Sequence, residues 1–405
     1  MRIVQINSVA NGSTGRIMLN IAEMVRENGG DAYTFSENRR TKNIPEAHRV
    51  FGCFAENIFH RAFSVITGIS GVGSSVGTRK LLREIDNLSP DVLHLHNLHG
   101  WYINIPMLFD YIRKKKIKTV WTLHDCWGFT AQCSHFTMEK CYKWKTGCYD
   151  CPRHTLYPYT WIDKTRKMYK LKKEWLTGVE NMTIVTPSEW LANLVKQSFL
   201  QYYPLRVINN GINLSVFKPT PSDFRSKHKL KDKKIVLGVS FGWTYRKGLD
   251  VFLELFNQLD PNVYQIVLVG TDKRIDKKLP KGIISIHRTQ NQKELAEIYT
   301  AADVFVNPTR EENYPSVNME AIACGTPVVT FKTGGSAEML GIKTGMSVEP
   351  DNFDEMISAI KKVCTEKVFA LSDFADCSKA FRMEDKFAEY VKLYDMITIN
   401  NGGAV

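Results

Sequence analysis

The sequence predicts an α/β protein made of two parallel-sheet domains, and three observations carry that prediction. Short apolar runs that read as buried strands alternate with amphipathic helical stretches. The alternation restarts at Lys234-Ile-Val-Leu-Gly-Val, beyond a Phe217-Lys-Pro linker. A chain of 405 residues is also too long for one compact core. Hydrophobic residues at 43% and charged residues at 24% are ordinary for a soluble globular protein. No apolar run approaches the roughly eighteen residues that would suggest a membrane-spanning helix. The opening Met1-Arg-Ile-Val-Gln-Ile-Asn enters a strand directly, without the charged and apolar regions of a signal peptide, so cytoplasm is the expected location. The net charge of +12 points to an anionic partner: nucleotide, nucleic acid or membrane surface.

In chain order, residues 2–7 read as the first strand and Val9-Ala-Asn-Gly-Ser-Thr-Gly15 as the loop after it. The following helix carries Ile17, Ile21, Met24 and Val25 on one face and ends at Gly29-Gly30. Gly12 and Gly15 let backbone approach a ligand, although an ordinary tight turn is an equal reading. The spacing is not Gly-x-Gly-x-x-Gly, so no nicotinamide-type fingerprint is present. Residues 53–80 hold an apolar helical stretch, then Gly71, Gly73 and Gly77, then a basic helix; a plain connector is the favoured reading over an acceptor-facing loop. Asp91-Val-Leu-His-Leu-His-Asn-Leu-His reads as a strand with His94 and His96 on one face and His99 beyond it. Strand alternation accounts for two of these histidines without a metal. Lys118-Thr-Val-Trp-Thr-Leu-His124-Asp125 is a further strand ending in a histidine, with Asp125 either orienting the imidazole or capping the next segment.

The segment Cys126–Cys151 contains five of the chain's nine cysteines. Cys133, Cys141, Cys148 and Cys151, the last two as Cys-x-x-Cys, read as a tetrahedral structural zinc staple, with reduced packing thiols and disulfides as the alternatives. Four thiolates would fill the shell and leave no position for catalysis. From Tyr159 to Leu176 an amphipathic basic stretch carries Trp161, Met168 and Trp175, a pattern that can lie on an anionic bilayer; an ordinary surface helix packed by its apolar stripe is the slightly favoured reading.

In the second domain, Ala302-Asp-Val-Phe-Val reads as a buried strand, followed by a polar loop and a helix from about Pro315 to Cys324 with Asn313 as its cap. Gly325 stops that helix and Pro327-Val-Val-Thr-Phe resumes as a strand. A helix N-terminus at the C-terminal edge of a parallel sheet favours a phosphate. Glu312 in the loop and Glu320 about two turns into the helix supply acceptors suited to sugar hydroxyls. One anion site flanked by two hydroxyl acceptors describes a nucleotide sugar.

Glu312-x7-Glu320 followed by Ala-x-Ala-x-Gly-x-Pro-Val-Val resembles the signature of the retaining glycosyltransferases of family four. The resemblance extends over nearly the whole chain and is closest to bacterial exopolysaccharide and colanic-acid-type enzymes. It implies a GT-B fold, two Rossmann-like domains facing across a cleft. Residues 1–215, with the insert 126–151 and a returning helix 385–400, are then the acceptor domain, and 216–384 the nucleotide-sugar domain. Carried over residue by residue, His124 contacts the transferring sugar, Lys247 of Arg246-Lys247-Gly248 binds phosphate, Glu312 holds the donor sugar and Glu320 the ribose. Gly12, Gly15, Thr289 and Tyr314 join the donor site. The family has Glu-x-Phe-Gly where this chain has Glu312-Asn313-Tyr314-Pro315; Pro removes an N–H, so phosphate contact moves to Ser316 and Val317. An earlier family Arg is replaced by Ser240-Phe241, with Arg246 as its substitute. The resemblance implies no catalytic metal and no nucleic acid, a glycan or polyprenyl-linked acceptor, and peripheral placement on the inner face of the plasma membrane. The competing readings are a nucleotide-sugar epimerase or other GT-B enzyme and, from a different class, a zinc-containing nucleic-acid-binding protein. The last leaves the Glu312/Glu320 unit unexplained.

Overall fold

The computed structural model describes residues 1–37, 47–341, 343–366 and 369–399. The chain divides into two compact units, Met1–Asn209 together with the chain from Lys386 on, and Asn210–Asp385.

The first unit is a seven-stranded sheet, entirely parallel, made of β1 (Arg2–Ile6), β2 (Asp31–Ser36), β3 (His48–Val50), β4 (Val92–Leu95), β5 (Thr119–Thr122), β6 (Met182–Thr186) and β7 (Leu205–Val207), in the order β3-β2-β1-β4-β5-β6-β7. Every residue of β4 and β5 is buried, as expected for strands covered by helices on both faces. The strand order reverses between β1 and β4, and the loops after these strands leave the same sheet edge. The first helix, Gly12–Glu27, starts inside the stretch expected to be loop. Gly12 supplies a left-handed turn at φ 70°, and a Cβ on Gly15 would lie 2.4 Å from the Ala10 carbonyl carbon. Gly15 is therefore required by packing of the helix onto its own entry loop. The C-terminal helix Met383–Ile399 sets Tyr390 and Tyr394 against His94 of β4; residue 400 of the expected span lies outside the described residues.

The second unit is a six-stranded parallel sheet of β8 (Lys234–Val239), β9 (Tyr264–Val269), β10 (Ile284–Ile286), β11 (Val304–Asn307), β12 (Val328–Phe331) and β13 (Gly345–Val348), in the order β10-β9-β8-β11-β12-β13. Its reversal falls between β8 and β11, whose register pairs Val304 with Val236. Apolar clusters on both faces explain why β11 and β12 are buried throughout. The helix after β11 spans Ser316–Ala323, with Pro315 rather than Asn313 at its N-cap. Asn313 is held elsewhere, its carbonyl accepting from Gly335 N–H at 2.8 Å.

Candidate active site

The reversal between β8 and β11 puts two loops side by side. After β8, residues 240–248 end in a tight turn, Tyr245–Lys247, and Gly248 at φ 74°. A Cβ on Gly248 would meet the Pro308 carbonyl oxygen at 2.5 Å, so only glycine lets this loop lie against the one after β11. Lys247 Nζ donates to Glu312 Oε2 at 2.6 Å, each side chain about one-fifth exposed. Arg246 donates to the Glu311 carbonyl at 3.2 Å, and its own carbonyl accepts from Arg310 N–H at 2.9 Å.

Arg310 clamps the pair of loops. Its guanidinium is bidentate to Asp250 (2.9 and 2.6 Å), bonds Asp351 at 2.7 Å, and stacks 3.8 Å over the Tyr245 ring. Burial alone would lower its pKa, but the Asp250 and Asp351 carboxylates raise it well above the ordinary arginine value. A third loop closes on the same carbonyls: Thr333 Oγ1 donates to Thr309 O at 2.7 Å, and a Cβ on Gly334 would sit 1.7 Å from Glu312 O. The backbone beside Glu312 is thus fixed from two sides.

Ser316 and Val317 open the helix, where first-turn N–H groups point past its end. Glu320 Oε2 accepts from the buried Tyr299 hydroxyl at 3.2 Å. Tyr314 is buried in the apolar cluster, where its body packs the loop against the core. Thr289 lies half-buried in the loop after β10, on the same sheet edge. The structure therefore joins Lys247 to Glu312 and Arg246 to the Glu311 carbonyl directly, and the helix start follows along the same loop. Sequence reasoning missed Arg310, Asp250 and Tyr299; Arg310 sits two residues from Glu312, but nothing in its spacing marks a buried clamp.

In the first unit, the half-buried His124 follows β5. Its Nε2 is 3.0 Å from His96 Nδ1, and His96 Nε2 is 2.9 Å from Gln5 Oε1. Gln5 Nε2 donates to the Met18 carbonyl at 3.1 Å, which fixes the amide so that Oε1 must accept. His96 Nε2 is then the donor. Burial holds His96 well below the ordinary histidine pKa, so its Nδ1 carries a lone pair and receives the proton of His124 Nε2–H. Burial likewise lowers His124, to about 4, against the opposing pull of Asp125. The sheet thus orients a neutral imidazole through two buried polar side chains. Gln5 was legible only as a polar residue in an otherwise apolar strand.

Asp125 acts as the cap considered above. Its Oδ1 accepts from Trp127 N–H at 2.8 Å, and its Oδ2 pairs with His99 Nε2 at 3.0 Å. Burial alone would raise Asp125, but His99 and the Trp127 N–H bring it to about 2. His94 is fully buried between Tyr394 Oη (2.5 Å) and Thr122 Oγ1 (2.8 Å).

The expected zinc staple finds no support in the structure. Among the described residues, no three or more His, Cys, Asp or Glu side chains are grouped so as to hold a metal ion, and all nine cysteines are free thiols. Cys133, Cys141 and Cys148 instead pack against the apolar core beside an aromatic group of Phe129, Phe136 and Trp144. Burial, reinforced by the neighbouring cysteines of the cluster, pushes Cys133 up to about 12 and Cys148 up to about 11.

Known proteins fit this architecture. Sucrose-phosphate synthase from Thermosynechococcus elongatus superimposes with a TM-score of 0.71 at 18% identity, over 98% of this chain and 99% of that one. Anabaena Alr3699/HepE, solved in complex with UDP, gives a TM-score of 0.67 at 15% identity, over 98% of this chain and all of that one (100%). These likenesses establish the GT-B fold. In sequence, the chain is 24% identical over 321 residues to the putative colanic acid biosynthesis glycosyl transferase WcaC of Escherichia coli K12, covering 75% of this chain and 76% of that protein. It is 22% identical to an uncharacterized 41.2 kDa protein of the Klebsiella pneumoniae cps region, over 97% of this chain and 99% of that protein. Residues 233–366 match the model for glycosyl transferases group 1. Residues 14–216, half of the chain, match the model for glycosyltransferase family 4, and the chain belongs to that family of glycosyltransferases.

Proposed function

We propose that this glycosyltransferase moves a sugar, with retention of anomeric configuration, from a nucleoside diphosphate sugar to a glycan or polyprenyl-linked acceptor in bacterial surface polysaccharide assembly. The observation that carries the reading is the Lys247–Glu312 pair at the strand-order reversal, beside the start of the helix Ser316–Ala323. A lysine and a helix N-terminus suit a diphosphate, and a carboxylate beside them suits sugar hydroxyls. Donor binding exchanges partners: the diphosphate takes Lys247, and Glu312 turns to the sugar. The UDP named in the Anabaena structure, and the polysaccharide context of the two bacterial relatives, support the same reading.

In the transfer, the acceptor hydroxyl attacks the anomeric carbon on the face the diphosphate leaves. The new glycosidic C–O bond forms as the bond to phosphate breaks, and the hydroxyl proton passes to the departing phosphate oxygen. Lys247, with Arg246 behind it, stabilises the charge that develops there. Ser316 and Val317 N–H groups complete the phosphate site, Glu320 and Thr289 serve the nucleoside, and His124 orients a sugar hydroxyl. Residues 216–384 bind the donor and residues 1–215 the acceptor. No helix among the described residues is long and apolar enough to cross a membrane. We place the enzyme on the cytoplasmic face as a peripheral protein, on the strength of its +12 charge and its basic stretch around Trp161.

Thermal stabilisation against UDP-, GDP-, ADP- and dTDP-sugars, repeated with Lys247→Ala and Glu320→Ala, tests the donor site. A shift with one nucleotide sugar that both variants lose supports it. No shift with any donor, alongside one with oligonucleotides, overturns it.

A further inference from the structure

The helix Phe54–Thr67 is amphipathic the wrong way round for water. Its outward residues are Phe54, Ala55, Ile58, Phe59, Ala62, Phe63 and Ile66, with Arg61 as the outward cation. Phe59 is 75% exposed and Phe54 63%. Its inward face, by contrast, carries bonded polar groups. His60 Nε2 accepts from Gly71 N–H at 3.2 Å, so His60 Nδ1 donates to Ser74 Oγ at 2.9 Å, and Ser74 in turn donates to Asn57 Oδ1 at 3.0 Å. The helix's acid, Glu56, is turned away to hold Val76 and Gly77 N–H groups at 2.7 and 2.9 Å. A surface helix in water buries its apolar stripe; this one holds its polar side inward and presents the stripe.

The stripe continues into a second element. Trp161 N–H donates to Val65 O at 2.8 Å, and a Cβ on Gly68, at the helix end, would lie 2.5 Å from Ile162 O and 2.9 Å from Lys164 Cγ. Trp161, 69% exposed, and the exposed Ile162 therefore extend the apolar surface directly to Lys164. There an open groove of about 480 Å³ is lined by Lys164, Arg166, Lys167 and Lys170 against Asp150 and Asp163. Asp163 is already engaged by Thr165 N–H and Oγ1 (2.8 and 2.6 Å) and Cys151 N–H (2.7 Å). An aromatic, aliphatic face bordered by cations matches the acyl and phosphate layers of one bilayer leaflet. A second copy would bring the same cations face to face.

We propose that the helix Phe54–Thr67 with Trp161 and Ile162 inserts into an anionic lipid bilayer, with Lys164 and its basic groove seated on the headgroup phosphates. This deepens the peripheral-membrane part of the proposed function and makes a helix that reads as a connector into the membrane-contact element.

The test is co-sedimentation of the full chain with phosphatidylcholine vesicles containing 30% phosphatidylglycerol (roughly the anionic fraction at which polybasic segments bind). We expect binding there, weak binding to pure phosphatidylcholine, and a loss of about tenfold or more in the bound fraction for Phe59→Ser/Phe63→Ser at equal salt. Lys164→Gln/Lys167→Gln should mainly reduce the salt dependence. Brominated acyl chains should quench wild-type fluorescence more than that of Trp161→Phe. Unchanged vesicle binding by Phe59→Ser/Phe63→Ser, absent quenching, or a wild-type dimer that this variant splits without any vesicle binding would each overturn the proposal. Nucleotide-sugar thermal shifts on the same samples report the donor site separately: their loss in wild type counts against the donor reading, and vesicle binding stands or falls by itself.

Discussion

The two sheet edges solve different electrostatic problems. At the edge of the second unit the groups are ionic: the partly exposed Lys247 on Glu312, and the buried Arg310 on the partly exposed Asp250 and Asp351. At the edge of the first unit a line of neutral groups, the buried Gln5 and His96 and the half-buried His124, passes hydrogen-bond polarity along it, while the acidic Asp125 is held aside by Trp127 N–H and His99. A leaving diphosphate needs full positive charge; a sugar hydroxyl needs a fixed direction. Charge can be supplied by mobile side chains over a few ångström, whereas direction demands burial and satisfied partners.

The comparison can be broken first at Lys247. Lys247→Ala should lower kcat by about 10²–10³, the scale for losing one preorganised charge stabiliser, measured as single-turnover transfer. Glu312→Gln sharpens it: transfer falls by about tenfold to a hundredfold, yet Kd for the free nucleoside diphosphate holds or tightens, because Lys247 loses its competitor. Calorimetry on that variant decides, and a weaker Kd would mean that Glu312 positions Lys247 rather than competing for it. On the neutral side, His96→Asn should cost about tenfold in kcat with KM nearly unchanged. Nitrogen chemical shifts should show His124 moving from a single Nε2–H tautomer to a mixture; a mixture already present in wild type would refute the fixed polarity.

The smallest effect concerns the fully buried Lys172, whose Nζ lies 3.4 Å over Trp127 and bonds the Trp127 carbonyl. Burial lowers its pKa to about 7, against the raising influence of Cys133 and Cys148. Between pH 7 and the unfolded lysine value the unfolded chain holds more protons, so stability rises with pH in that window. The raised thiols of Cys133 and Cys148 act oppositely once pH passes the ordinary thiol value near 9. Chemical denaturation should therefore show a gain of up to about 2 kcal/mol from pH 7 to 9, flattened in Lys172→Met.

Most of the strands and the Glu312 loop were legible because their causes are local. A parallel strand needs an apolar run, a helix start needs a cap or proline, and Gly325 at φ 81° ends the helix where the sequence placed its stop. The cysteines show the limit. Their spacing describes possible ligands, but the apolar core and the aromatic group of Phe129, Phe136 and Trp144 beside them are set by tertiary packing. The same holds for the packing demand at Gly15, against the Ala10 carbonyl, which no local pattern announces.

The sequence by itself determined the two parallel sheets, the placement of Lys247, Glu312 and His124 after strands, and the excess of positive charge, since each follows from periodicity and residue type along a short stretch. Only the tertiary structure decided that Arg310 clamps the loops after β8 and β11, that His96 rather than Asp125 accepts the His124 proton, and which way the helix Phe54–Thr67 faces. Those outcomes depend on partners distant in the chain, whose proximity is set by sheet order and burial, and no local pattern encodes a side chain's distant neighbour.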